Sequence, residues 1–85
     1  MQGMQDCHLL GLLQRNDALK ARGFSLSRTH ADSIVIDRFG HVHGIWKFDG
    51  RRYAWLSPCS TVPVFWTDSP SAAVVYTLIA LAQIP

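Results

Sequence analysis

The chain has 85 residues, two of them cysteine, and a formal net charge of +2, which is the size of one small domain spanning residues 1–85. Its hydrophobic fraction of 48% excludes a disordered chain, and its charged fraction of 16% against ~25% for an average globular domain leaves few charges to cover the outside. Cys7 and Cys59 stand in no paired spacing, so neither a disulfide framework nor a thiolate metal site is indicated, and both read as free thiols in a reducing compartment, Cys59 as a buried, inert one rather than a reactive loop thiol.

The first predicted element is a helix from about Gln5 to Arg22. Leu9, Leu12, Leu13 and Leu19 fall on one stripe at helical spacing. Asp6 suits its start, and Gly23, following Lys20 and Arg22, suits its stop. Gly11 and the pair Asn16-Asp17 weaken its middle and mark Asn16 as the point for a break.

Phe24 to Arg28 alternates as a half-buried strand, and Thr29 to Asp32 reads as a turn. Ser33 to Asp37, with Ile34, Val35 and Ile36, is a second strand. Arg38-Phe39-Gly40 fits a three-residue hairpin loop, and Asp49-Gly50 fits a two-residue type I′ turn. With those loops Ile36 would face Val42, Ile34 would face Gly44, Trp46 would face Tyr53, and Gly44 would face Trp55. Alternation then sorts the sheet into two faces. One carries Ile34, Ile36, Val42, Trp46, Phe48, Tyr53 and Trp55, with Trp55 covering the gap at Gly44. The other carries Val35, Asp37, His41, His43, Ile45, Lys47, Arg52, Ala54 and Leu56.

Ser57 to Thr61 is a loop. Val62 to Thr67 reads as a further strand, which Pro63 confines to an edge. Ser69 and Pro70 open a last helix as N-cap and first residue, and that helix runs to about Gln83. The predicted fold class is α+β, in the order α-β-β-β-β-(β)-α. It is an antiparallel β-meander of four to five strands, with an N-terminal and a C-terminal helix packed on one face.

That order resembles, in outline, the double-stranded RNA-binding domain, α-β-β-β-α. The second helix of that family opens on lysines that grip phosphate. The corresponding stretch here, Ser69 to Tyr76, has no cation, so the resemblance carries no functional residue over.

Three function classes compete. The first is a non-catalytic interaction protein, a homodimer or higher homo-oligomer that offers a sheet face or the last helix to a protein partner. Val35, Ile45, Ala54 and Leu56 would form an apolar centre on the sheet, with His43 on the same surface and Asp37, Lys47 and Arg52 as a charged border, as interfaces have. Val75 and Ile79 belong to a helix with no charge on any side from Ala72 to Ala82, and a helix that is apolar all round seeks burial all round. The second is a nucleic-acid-binding module, with Arg38, His41, Lys47, Arg51 and Arg52 as a weakly basic strip along phosphates. The third is a metal or ligand site at His41 and His43, two apart on one strand, with Asp37 opposite. No cofactor motif, glycine-rich phosphate loop or nucleophile elbow is present, glutamate is absent, and the six aspartates sit mainly at caps and turns. Catalysis is therefore not expected. Nor is a membrane span, since the longest apolar run falls short of the ~20 residues a bilayer needs. No basic leader precedes Leu9, which makes the cytoplasm the expected location.

Overall fold

Two helices come first among the described residues, separated at one asparagine. In the computed structural model, which describes residues 3–29 and 33–84 and the side chains from His8 onward, α1 spans Gly3–Gln14 and α2 spans Asp17–Ala21. The helix expected over this stretch breaks in two at Asn16, the point marked for a break. Asn16 ends the first and caps the second, its side chain accepting from the Leu19 amide at 3.2 Å. An amide side chain competes with the helix interior for backbone donors and wins at a cap. Because α1 begins at Gly3, Asp6 lies inside it, and its side chain falls outside the described residues. Gly23 follows α2 at φ +82°, the left-handed stop.

Five strands follow: β1 (Ser25–Arg28), β2 (Ser33–Arg38), β3 (His41–Phe48), β4 (Tyr53–Leu56) and β5 (Phe65–Thr67). They form one antiparallel sheet in sequence order, with β1 and β5 at the edges. The expected turn at residues 29–32 falls mostly on positions 30–32, outside the described residues. The last strand is shorter than Val62–Thr67, since pairing with β4 starts only at Phe65, two residues past Pro63.

Both hairpins close differently from expectation. Phe39 and Gly40 both have positive φ, at +55° and +81°, so the first loop is a two-residue turn with Arg38 facing His41. The register then shifts between Ile36 and Asp37, where Asp37 faces Val42 but Ile36 faces Gly44. His43 is the extra residue of a β-bulge. The second loop is longer than Asp49-Gly50 alone. The Asp49 amide donates to the Arg52 carbonyl, and the Asp49 carboxylate accepts from the amides of Arg51 and Arg52 at 2.9 and 2.8 Å. Phe48 therefore faces Tyr53, and Trp46 faces Trp55. This register lies two residues from the expected one, and an even shift leaves every side chain on its own face.

The core forms where α1 and α3 (Pro70–Ala82) cover the face carrying Ile34, Ile36, Trp46, Tyr53 and Trp55. Leu9 and Leu13 of α1, with Ala73 and Leu81 of α3, join these in one buried cluster. Trp46 is its centre. Its ring meets Tyr53, Trp55, Phe65 and Tyr76 edge-on at centroid distances of 5.1 to 6.5 Å. Its indole N–H donates to the Thr77 hydroxyl at 2.8 Å, and that hydroxyl donates to the Ala73 carbonyl at 2.7 Å. A buried indole donor is thereby satisfied by a helix whose other buried residues, Ala73 and Leu81, are apolar. Phe65 stacks flat on Tyr76, with centroids 4.1 Å apart, tying the edge strand to the same helix.

Gly44 makes room for this packing. A Cβ there would lie 2.1 Å from the Trp55 ring, so Trp55 occupies the gap, as expected. At the far end of α3, Arg22 donates to the carbonyls of Leu81 and Ile84. A cation at the C-cap of α2 thus closes a helix C-terminus that has no basic residue in its own last turn.

Candidate partner surfaces

With the helices on one side of the sheet, the opposite side and the outer stripe of α3 remain. Opposite the core lie Val35 and Ile45, which face one another, Lys47 opposite Ala54, and Ala54 opposite Trp66. Val35 and Ile45 are half-buried. Ala54 and Leu56, expected at the apolar centre of an open surface, are buried. The stretch after β4 folds toward them, so that Thr61, Pro63 and Trp66 share a recess with Ala54 and Leu56. The sheet face is therefore covered in part by its own chain.

The bulge corrects a second assignment. One extra residue reverses the alternation beyond it. Val42 now pairs with Asp37 and stands 40% exposed on the outer side, where it was expected inside. His41 pairs with Arg38, on the helix side. The His43 ring lies edge-on to buried Phe24, 5.7 Å between centroids, so His43 is half-buried packing rather than outer surface. Among the described residues no three His, Cys, Asp or Glu side chains come together as a metal site requires.

The cations of the expected basic strip are divided. Arg38 lies over Phe24 and Phe39, at 4.8 and 5.6 Å from the ring centroids, and with His41 it marks one end of β3. Lys47, Arg51 and Arg52 mark the other end, roughly 20 Å away at ~3.3 Å per residue. Arg51 and Arg52 share an open polar recess of about 480 Å³ with Asp49 and Asp68, two cations against two acids. No continuous track for a phosphate backbone results.

Two residues, Trp66 and Phe39, stand out that the residue pattern alone did not single out, and one expectation, at Cys59, is corrected. Trp66 is 45% exposed on the outer face, with Arg52 over its ring at 4.4 Å. It follows Val62 and Val64, both exposed, at a spacing of two residues. Phe39 is 85% exposed at the apex of the first hairpin. Cys59, expected to be buried, is exposed at φ +67°.

On α3 the pattern is simple. Ala73, Thr77 and Leu81 point inward, four residues apart, and Val75 and Ile79 point outward at 55% and 57% exposure. Ser71 and Ala82 extend the exposed stripe at either end. Among the described residues no helix is long and apolar enough to cross a membrane. Comparison with models of known protein families, with curated proteins and with solved structures found no match.

Proposed function

We propose that this chain is a non-catalytic interaction protein that self-associates through the outer stripe of α3. The observation that carries the proposal is the pair Val75 and Ile79, more than half exposed on a helix without a single charge. Water gains nothing from such a stripe, and a surface helix of a monomer normally carries polar residues there. Burying the exposed part of each side chain contributes about 1 kcal/mol. A two-fold axis through the stripe doubles every such contact, and closed dimers are the commonest assembly of small soluble chains. The small neighbours Ala72 and Ala82 let a second helix approach closely.

Size-exclusion chromatography with light scattering tests this at about 100 µM, where association of roughly 5.5 kcal/mol is half complete. A dimer is expected, and Val75→Lys with Ile79→Lys is expected to return it to a monomer without lowering the helix content. A wild-type chain that runs as a monomer at that concentration overturns the proposal.

A further inference from the structure

On the outer face, Lys47, Ala54 and Trp66 stand in one row across β3, β4 and β5. Adjacent strands lie ~4.8 Å apart, so the lysine and tryptophan stems rise roughly 10 Å from one another with only a methyl group between them. The recess is the space above that methyl. It measures about 240 Å³, with buried Ala54 and Leu56 beneath it and Pro63 and Trp66 along its β5 side. An engineered cavity of ~150 Å³ holds benzene, so this one has room for a body of about ten non-hydrogen atoms.

Charge selects among bodies of that size. Asp49 lines both this recess and the polar one it shares with Arg51, Arg52 and Asp68, so the two adjoin. Lys47, Arg51 and Arg52 stand there against Asp49 and Asp68, a surplus of one positive charge. Asp49 is already engaged, its carboxylate accepting from the Arg51 and Arg52 amides. The Arg52 guanidinium lies over the Trp66 ring, 4.4 Å from its centroid. A guanidinium that rests its flat face on a ring keeps its N–H edge for a planar, bidentate anion. Lys47 adds a point charge from the β3 side.

We propose that this recess binds a small monocarboxylate with one aromatic ring. The ring lies over Ala54 and Leu56 and meets Trp66 offset or edge-on, as aromatic pairs favour. The carboxylate points to the loop between β3 and β4, within reach of Arg52 and Lys47. A surplus of one charge suits a monoanion better than a phosphate, and the apolar floor gives a bare anion nothing to cover it. Apolar walls with a few placed polar groups are the make-up of small-molecule sites, and this one lies just below their usual ~300–1,000 Å³. The site is separate from the α3 stripe and uses neither Val75 nor Ile79.

Phenylacetate, a ring and one carboxylate of the right size, is the probe, followed by two-dimensional NMR of the isotope-labelled protein. The Trp66 indole N–H resonance is expected to shift and saturate with a Kd of about 1 mM, while those of Trp46 and Trp55 stay fixed. Phenylacetamide, the same shape without the charge, is expected to bind about tenfold more weakly, and acetate to leave Trp66 unmoved. Lys47→Met with Arg52→Gln is expected to weaken phenylacetate about tenfold and to leave phenylacetamide unchanged, a split that lost folding would not produce. Thr61→Trp, which fills the recess from its exposed rim, is expected to abolish both. Val75→Lys with Ile79→Lys is expected to bind as the wild type does, so failure of either proposal leaves the other intact. No saturable Trp66 shift by about 20 mM phenylacetate overturns the site, and so does equal affinity for the acid and the amide. An acetylated tripeptide ending in phenylalanine that binds about tenfold tighter than phenylacetate overturns it as a small-molecule site.

Discussion

At the scale of single residues, the interior is governed by two fits with no slack. The first joins Trp46 to Thr77. Thr77→Val keeps the shape but leaves the indole N–H without a partner in a buried site, and a loss of about 2 kcal/mol is expected. Thr77→Ser keeps the hydroxyl and removes one methyl group, so its loss is expected to be about 1 kcal/mol. Urea denaturation of the two variants reads the difference, and equal losses would mean that volume alone matters there. The second fit is Gly44 beneath Trp55. A methyl group 2.1 Å from ring carbons forces the indole out of a packed layer. Gly44→Ala is therefore expected to cost about 3 kcal/mol, despite the small gain a strand draws from losing a glycine. Gly40, which has nothing within 4 Å of an added Cβ, is limited by its backbone angle instead.

At the scale of elements, the loops decided what was legible beforehand. The caps of α3 were readable because Ser69-Pro70 is a local signal, and the Ser69 side chain does accept from the Ala72 amide. The sheet order and the large inward rings were readable because alternation has a period of two. The hairpin lengths were not. Asp49-Gly50 looks like a complete turn, but the Asp49 carboxylate gathers the amides of Arg51 and Arg52 and extends the loop, a local side-chain turn that competes with the two-residue hairpin signal. The bulge at His43 was equally silent, and it moved Val42, His41 and His43 to the faces opposite those expected. Burial of Ala54 and Leu56 depended on where the chain after β4 folds, which alternation does not encode.

The same loop carries a pH dependence. Hydrogen bonds from the Arg52 and Arg51 amides hold the Asp49 carboxyl below its ordinary value, aided by the nearby Arg52 charge. A group with a depressed folded pKa stabilises the fold fully above its unfolded pKa, about 4, and that contribution fades as pH falls through the lower folded value. The group is fully exposed, so the effect is modest. Thermal melts between pH 6 and pH 2.5 are expected to fall less steeply for Asp49→Asn, which keeps an acceptor but cannot titrate. Parallel curves for the two proteins would remove Asp49 from the acid response.

At the scale of the whole molecule, 85 residues build one helical layer on one sheet, and that layer is too thin to bury α3 on all sides. Low charge and an unfilled apolar stripe are then two views of the same shortage. A chain that relies on a second copy has a melting temperature that depends on concentration. The wild-type midpoint is expected to rise by a few degrees for a hundredfold increase in protein, and Val75→Lys with Ile79→Lys is expected to abolish the rise. A flat response in the wild type would mean that the monomer is sufficient by itself.

The cluster around Trp46 also makes the chain its own spectroscopic probe. Four rings held edge-on to one indole, one of them contributed by α3, give a strong near-ultraviolet circular dichroism signal that exists only while helix and sheet are docked. Trp66 lies apart from that group on the opposite side, half open to solvent and shadowed by Arg52. Loss of interior order and events at the outer face are thus visible through separate chromophores, without a label.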